Sequence, residues 1–421
     1  MAYTSRPFPP STPLFPHARV VKAYLDDYAD YFYLRAHIQL NTAVTRLKWD
    51  GSIWQVTVST GESFRFDLVL ICNGHYRIPR YPDTPGITEW LNSGRATHSA
   101  WYRRPHGIRK TDTVLILGNG PSANDIAADI QVVAQTVIRS ITNAQRQEFG
   151  NIKIRGRIVH FEENGRVVYQ DGTTDSGITH CILATGYQFS YPFLSEELLH
   201  SRLPPPAPPL PTDLYKTTYN VFPFARHLFP LQTAFPPHTL VFPSLPVKIV
   251  PFPLAEAQAR AVLHVFANPT LLDVTRESVN IITRHDRLRS KFGDDEIAIS
   301  KAWHIFAPTK QFNYRDELAD FTPVAPDSDL DGIWERRHIK VSEWEKSLCD
   351  NFVLRKAWKT LEERGEADTW VRGVGEGGAQ EWVDLMERLL RWAEENGLTI
   401  DAAEKLMIGM GCISSSEALE H

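Results

Sequence analysis

The sequence has little cysteine. Only four of its 421 residues are Cys, and no two of them form a C-x-x-C pair. Scattered cysteines exclude a disulfide framework and the common zinc-ligand spacings. We therefore predict a reducing compartment and no metal site. The four are Cys72, Cys181, Cys349 and Cys412.

The sequence also lacks a long apolar run. A membrane span needs about 20 apolar residues, and the best candidate, residues 239–255, contains Lys248 and four prolines. The first twenty residues carry prolines where a signal peptide has its apolar core. We predict neither a transmembrane segment nor an export signal, and hence a cytoplasmic protein.

An excess of basic charge is missing as well. There are 45 basic and 50 acidic side chains, a net charge of −5, so the overall field attracts neither nucleic acid nor an anionic membrane. The 43% hydrophobic and 23% charged residues are ordinary for a globular protein. A small-molecule partner is predicted, and nothing indicates an oligomeric state.

Catalytic side-chain motifs are scarce too. No G-x-S-x-G elbow occurs, and the histidines have no metal-ligand spacing. Glu162, Glu163 and Asp171 flank a predicted hairpin, where solvated turn carboxylates are the ordinary interpretation. We therefore name no catalytic residue.

The sequence does contain a strand, a glycine loop and a helix in direct succession. The strand is TVLIL, residues 113–117, and the loop that follows is Gly118-Asn-Gly120-Pro-Ser122-Ala123. Gly118 permits a tight turn, Gly120 permits close approach of a pyrophosphate, and Ala123 permits helix packing. The helix start, with Ser122, offers free N–H groups to the anion. This context predicts a dinucleotide site, with a purely structural turn as the alternative.

The next strand, TVIRS, ends about 20 residues after the glycines, where NAD enzymes place an acid on the ribose. This chain has Arg139 there. A guanidinium can pair with a 2′-phosphate, so NADP is favoured over NAD. The alternative is a solvated charge at the end of a strand.

Three further motifs give the chain a family resemblance. Gly94, His98 and Tyr102 match the pattern F-x-G-x-x-x-H-x-x-x-Y, with Asn92 in place of Phe. An A-T-G-Y junction follows at 184–187, then the segment LPVKIVPFPLAEAQA. With the glycine loop, these motifs resemble the flavin-containing monooxygenases over about residues 6–320.

The resemblance implies an α/β fold with two nested Rossmann-like dinucleotide-binding domains, the first of them incomplete, and a C-terminal helical extension. The first domain is expected to hold FAD and the second NADP. The expected ranges are 1–105 for the first part of the FAD domain, 106–200 for the NADP domain, 201–325 for the return to the FAD domain, and 326–421 for the helical extension.

The resemblance also implies further cofactor contacts. In the FAD domain it places the backbone of Val44 against the adenine and the end of a strand at Asn73 and Gly74 near the cofactor. The resemblance adds the A-T-G-Y junction to these cofactor contacts, and it places residues 251–258 near the isoalloxazine ring. The expected contacts are Val44, Asn73, Gly74, Thr185, Gly186, Glu256 and Gln258.

The implied activity is NADPH- and O2-dependent oxygenation of a nucleophilic nitrogen or sulfur in a small organic substrate. Tyr102 stands where Baeyer–Villiger relatives usually have Trp, which favours oxygenation of a heteroatom. The role implied for His98 is to organise a hinge between domains. The alternatives are a non-catalytic NADP-binding remnant, a flavin-dependent reductase or oxidase, and a Baeyer–Villiger monooxygenase.

The family begins with its own strand, G-x-G-x-x-G turn and helix for FAD, which residues before Ser5 cannot supply. We expect a coding segment upstream that supplies this strand, turn and helix.

The apolar run at residues 66–72 predicts a strand buried on both faces that lacks a sheet neighbour. We also predict a helix over 15–32 and, in a small antiparallel insert, strands at 38–41, 43–49 and 54–60.

Overall fold

The computed structural model describes residues 2–306, 309–322, 340–349 and 351–399. They form two compact units. The split unit combines the chain up to Gly74 with the chain from Tyr191 onwards, and the continuous unit is His75–Ser190. The continuous unit is therefore inserted into the sequence of the split unit.

The chain up to Gly74 forms a helix followed by a small antiparallel sheet, as predicted. Its elements are α1 (Ala18–Tyr31), β1 (Val44–Trp49), β2 (Trp54–Val58), β3 (Ser63–Phe66) and β4 (Val69–Leu70). The predicted strand at 38–41 is wrong. Leu40 is 76% exposed and Asn41 has a left-handed φ of 54°, so this segment neither pairs nor buries a face.

The β1–β2 hairpin has a clear local cause. Asp50 Oδ1 accepts hydrogen bonds from the backbone N–H groups of Ser52 (3.0 Å) and Ile53 (2.9 Å). Gly51 takes a φ of 102°, which glycine adopts at little cost. The turn fixes the register so that Trp49 faces Trp54.

The continuous unit is built on one six-stranded sheet in the order β6-β14-β7-β8-β10-β9, parallel except for β9. Apolar clusters cover both faces of this sheet, and the α3 helix packs on one of them. This arrangement confirms the predicted succession of strand, glycine loop, helix and strand. The elements are β5 (Ile78–Pro79), α2 (Ile87–Asn92), β6 (Ala96–His98), β7 (Thr113–Leu117), α3 (Pro121–Ile130), β8 (Thr136–Ser140), β9 (Gln147–Phe149), β10 (Ile152–Arg155), β11 (Ile158–Glu162), β12 (Arg166–Tyr169), β13 (Thr174–Asp175), β14 (His180–Leu183) and β15 (Tyr187–Gln188).

From Tyr191 onwards, short strands give way to helices. They are β16 (Tyr215–Lys216), β17 (Val221–Phe222), β18 (Phe224–Ala225), β19 (Phe229–Pro230), β20 (Leu240–Val241), α4 (Pro251–Ala267), α5 (Val274–Phe292), α6 (Glu296–Ala302), α7 (Lys310–Phe321), α8 (Glu343–Leu348), α9 (Phe352–Arg364), α10 (Ala367–Val371) and α11 (Gln380–Glu395). Helices α9 and α11 share an apolar cluster around Trp358. Of the expected helical extension, residues 326–339, 350 and 400–421, with Cys412, lie outside the described residues.

In the strand predicted at residues 66–72, Ile71 alone is buried. Phe66 is 45% exposed, Leu68 36% and Leu70 44%, whereas Ile71 is 6% exposed. Within the described residues, β4 pairs in parallel with β20 alone. The expectation of two buried faces is therefore wrong, because most of these side chains are open to solvent in the described structure. One edge of β4 also has no partner strand there.

Across the described part of the chain, no helix combines the length and apolar character needed to cross a bilayer.

Candidate cofactor-binding site

The glycine loop joins β7 to α3 at the carboxyl end of the parallel sheet. Gly118 has a φ of +116°, and a Cβ built on it would lie 2.3 Å from the carbonyl oxygen of Ala184. Both the backbone angle and the close approach to β14 therefore require glycine here. The predicted role of Gly118 in a tight turn follows from this geometry.

Gly120 differs from Gly118. Its φ is −85°, and a Cβ built on it would meet nothing within 4 Å in the described chain. The chain itself does not require glycine at this position. The open space over the Gly120 backbone leaves room for a ligand to approach. Ala123, by contrast, is fully buried, where α3 packs on the sheet.

Three backbone N–H groups at the start of α3 donate to no acceptor among the described residues. They belong to Asn119, Gly120 and Ser122, whereas those of Ala123 and Asn124 donate to the Gly120 carbonyl at 3.0 and 3.2 Å. Helix starts carry such unpaired donors together with the positive end of the helix dipole. The arrangement suits an anion such as a pyrophosphate.

Arg139 lies on β8 beside this loop and is fully buried. Its Nη2 donates to the Gly118 carbonyl (3.3 Å) and to Asn119 Oδ1 (3.4 Å). Its Nε and Nη1 have no hydrogen-bond acceptor within the described structure. Burial lowers the pKa of Arg139 to about 10, so it stays charged at neutral pH. The alternative of a solvated strand-end charge is excluded.

Thr185 and Gly186 lie where the chain leaves β14, and Arg80 donates hydrogen bonds to their backbone carbonyl groups. Arg80 Nη2 donates to the Thr185 carbonyl (2.7 Å), and the Arg80 N–H donates to that of Gly186 (2.9 Å). Sequence reasoning missed Arg80, because a single arginine in a loop carries no periodic signal. It also missed Asn119, which the polar position inside G-x-G could have indicated.

His98 is buried at the end of β6, and both of its ring nitrogens have partners. Its Nδ1 accepts from the Ala100 N–H (3.0 Å), and its Nε2 lies 3.0 Å from the Gly186 carbonyl. Burial lowers the pKa of His98. These contacts all lie within the continuous unit, and the hinge role of His98 stays a prediction.

Tyr102 also holds the continuous unit together. Its hydroxyl donates to Asp129 on α3 at 2.9 Å. Burial, with this carboxylate, raises the pKa of Tyr102. The tyrosine of the sequence motif therefore connects the chain after β6 to the helix of the glycine loop.

The residues expected to contact FAD lie in the split unit, apart from Thr185 and Gly186. Val44 begins β1 and is 41% exposed, and Asn73 and Gly74 are exposed after β4. No second strand, G-x-G-x-x-G turn and helix occurs among the described residues. These positions therefore form no second anion site like the one at α3.

Two expected contacts on α4 are already engaged by the protein. Glu256 accepts hydrogen bonds from the N–H groups of Thr4 (2.8 Å) and Ser5 (3.2 Å). Gln258 is fully buried, and its side chain bonds the Ser244 N–H (2.8 Å) and the Tyr314 hydroxyl (3.0 Å). Neither side chain offers a free polar group to a flavin in this arrangement.

Comparison with known proteins gives consistent matches. The family described as flavin-binding monooxygenase-like matches residues 1–147 and 144–328. The chain is 32% identical over 330 residues to flavin-containing monooxygenase FMO GS-OX-like 4 of Arabidopsis thaliana, covering 72% of this chain and 65% of that protein. It is 28% identical over 294 residues to the thiol-specific monooxygenase of Saccharomyces cerevisiae, covering 66% and 65%. The chain thus spans just under two thirds of the length of these two relatives.

A solved structure shares the fold. The S-allyl-L-cysteine S-oxygenase of Allium sativum superposes with a TM-score of 0.62 at 24% identity, covering 94% of this chain and 81% of that one. This likeness supports the α/β architecture with Rossmann-like domains.

Proposed function

We propose, from the premise that the chain belongs to the flavin-binding monooxygenase-like family, that its continuous unit binds NADPH and that the whole protein is a flavin-dependent monooxygenase. The observation that carries the proposal is the glycine loop beside an unpaired buried arginine. The loop receives the pyrophosphate on the N–H groups of Asn119, Gly120 and Ser122. Close approach is possible because a Cβ built on Gly120 would meet no atom of the described chain within 4 Å.

Arg139 selects the phosphorylated coenzyme. A buried cation without a carboxylate partner is costly, and an incoming phosphate would supply the missing acceptors. Because the side chain is fully buried, the phosphate reaches it only after a local rearrangement of the side chains around it. A charged phosphate then gains charge-assisted hydrogen bonds that a ribose hydroxyl cannot match.

The substrate proposed for the whole protein is a small molecule with a nucleophilic sulfur. The names of two similar proteins, a thiol-specific monooxygenase and an S-oxygenase, favour sulfur over nitrogen. When bound, NADPH supplies hydride and the flavin reacts with O2. The part assigned to this chain's own residues is to bind and orient the coenzyme, so no side chain is assigned a proton transfer.

The fit to FAD is poorer than the fit to NADP. The described split unit has no second glycine loop, and Glu256 and Gln258 are bonded to the protein's own groups. This favours a second candidate function, an NADP-binding protein that works without flavin. Absorbance in the flavin bands after purification separates the two candidates, and oxygen-dependent NADPH consumption with a thioether tests the activity.

Replacing Arg139 tests coenzyme binding. Arg139→Gln is expected to weaken NADPH binding by about 1.5–3 kcal/mol, the scale of charge-assisted hydrogen bonds. The binding of NADH should be much less affected. Titration calorimetry with both coenzymes measures this, and thermal unfolding checks that the variant folds. Arg157→Gln, at an exposed position of the same unit, is the matched control. Equal losses for NADPH and NADH would contradict the role of Arg139.

A further inference from the structure

The split unit contains an open cavity of about 690 Å³ that none of the expected cofactor contacts lines. Three segments surround it: the turn between β1 and β2, the residues just before β4, and the loop leading to β20. A volume of this size is within the ordinary range for small-molecule sites. Its lining includes Trp49, Asp67, Phe235, His238 and Thr239.

The aromatic wall of the cavity is held in place by packing. The ring centroids of Trp49 and Phe235 lie 6.3 Å apart. Both rings contact the fully buried Trp54, with centroid distances of 5.2 Å from Trp49 and 4.8 Å from Phe235. Trp54 Nε1 donates to Thr239 Oγ1 at 3.1 Å, which ties the hairpin to the far side of the cavity. The wall is therefore preorganised rather than assembled by the ligand.

The charge on the lining of the cavity is negative. Its lining contains one carboxylate, Asp67, and no lysine or arginine. Asp67 is exposed. Burial lowers the pKa of His238, so this second titratable group adds no positive charge at neutral pH. The cavity thus combines one negative charge with aromatic surface.

We propose that this cavity binds a small organic ammonium ion. Asp67 supplies the opposite charge, and the ring of Trp49 supplies aromatic surface for the alkyl groups around the cation. Phe235 is only 4% exposed and packs beside Trp49, so its part is to hold that ring in place. Aromatic rings attract cations through their quadrupole, and quaternary ammonium groups are recognised in this way. An anion would meet Asp67, with no lysine or arginine in the described lining to compensate its charge.

The test uses choline as the probe and its neutral isostere, 3,3-dimethyl-1-butanol, as the comparison. Saturation-transfer NMR with the full chain should show choline binding at least about five-fold tighter than the alcohol, the scale of a cation–π contact with one charge pair. Added salt should weaken choline binding, because the charge pair is solvent-accessible.

Two variants identify the groups responsible. Asp67→Asn should weaken choline about five-fold while leaving the alcohol unchanged, and Trp49→Leu should weaken both. Asp286→Asn removes an exposed carboxylate of the same unit that does not line the cavity, so it should change neither. Equal binding of choline and the alcohol, or choline binding that is unchanged in Asp67→Asn, would overturn the proposal. Circular dichroism confirms that each variant is folded.

Discussion

At the scale of single residues, the two glycines of the loop have different roles: Gly118 is expected to matter for stability and Gly120 for coenzyme binding. Gly118→Ala should lower the free energy of unfolding by about 2–4 kcal/mol, since it forces a positive φ and a clash on a side chain. Gly120→Ala, at a φ of −85° that alanine adopts without strain, should raise the free energy of unfolding by about 0.4–1 kcal/mol. It should weaken NADPH binding at least about ten-fold, because the methyl group fills the space left for the pyrophosphate. Thermal unfolding and calorimetry measure the two effects. Unaltered NADPH binding by Gly120→Ala would contradict the proposed site.

A buried pair of histidines predicts a loss of stability in acid. The Nδ1 atoms of His227 and His304 lie 2.9 Å apart, so one ring must donate and the other accept. Burial, with the charge of Arg284, holds the pKa of His227 well below 6.5. The unfolded chain therefore binds the proton more readily, and stability present at neutral pH is lost as the pH falls below about 6.5.

Urea unfolding at about pH 7 and about pH 5 measures this loss. His227→Asn should reduce the difference between the two pH values, by up to about 1.4 kcal/mol per pH unit, and Asn tolerates the φ of 52° at this position. His200→Asn, at a partly exposed histidine, should leave the difference unchanged. Identical pH dependence in His227→Asn and the original chain would show that His227 does not titrate on unfolding.

At the scale of elements, the open edge of β4 is expected to promote self-association. An edge strand with exposed apolar side chains can pair with another chain, and Leu70 is 44% exposed there. Leu70→Lys should reduce concentration-dependent association in analytical ultracentrifugation without loss of stability. Leu263→Lys, on the helix α4 at 48% exposure, should have a smaller effect because it places no charge on a strand edge. Equal reductions in association by the two variants would indicate that exposed apolar side chains in general, and not the edge of β4, drive self-association.

The elements also show what the sequence could and could not predict. Periodicity and turn residues were enough for α1, the β1–β2 hairpin and the succession from β7 to β8, because these depend on local contacts. The burial of residues 66–72 was predicted wrongly, since it depends on neighbouring strands that a run of apolar letters does not reveal. The same holds for the site: Gly118 was readable from its motif, whereas the pairing of Arg80 with Thr185 spans 105 positions.

At the scale of the whole molecule, the continuous unit should work alone. Residues 75–190 contain the entire six-stranded sheet and both of its apolar clusters. Expressed as a fragment, they should fold cooperatively and bind NADPH within about a factor of five of the full chain, as expected for a domain with its own core. A folded fragment that fails to bind NADPH, when the full chain binds it, would place essential contacts elsewhere.

The insertion of one unit into the sequence of the other has a consequence for biosynthesis. Strand β4 emerges from the ribosome long before its only described partner, β20. At roughly 5–20 residues per second, the intervening residues 71–239 take about 10–30 s to synthesise. The continuous unit can complete its sheet within that interval, whereas β4 lacks its described partner, and the side chain of Ile71, which is buried in the folded protein, stays uncovered until β20 is made. Nascent chains stalled before Leu240 should therefore recruit chaperones to this amino-terminal stretch.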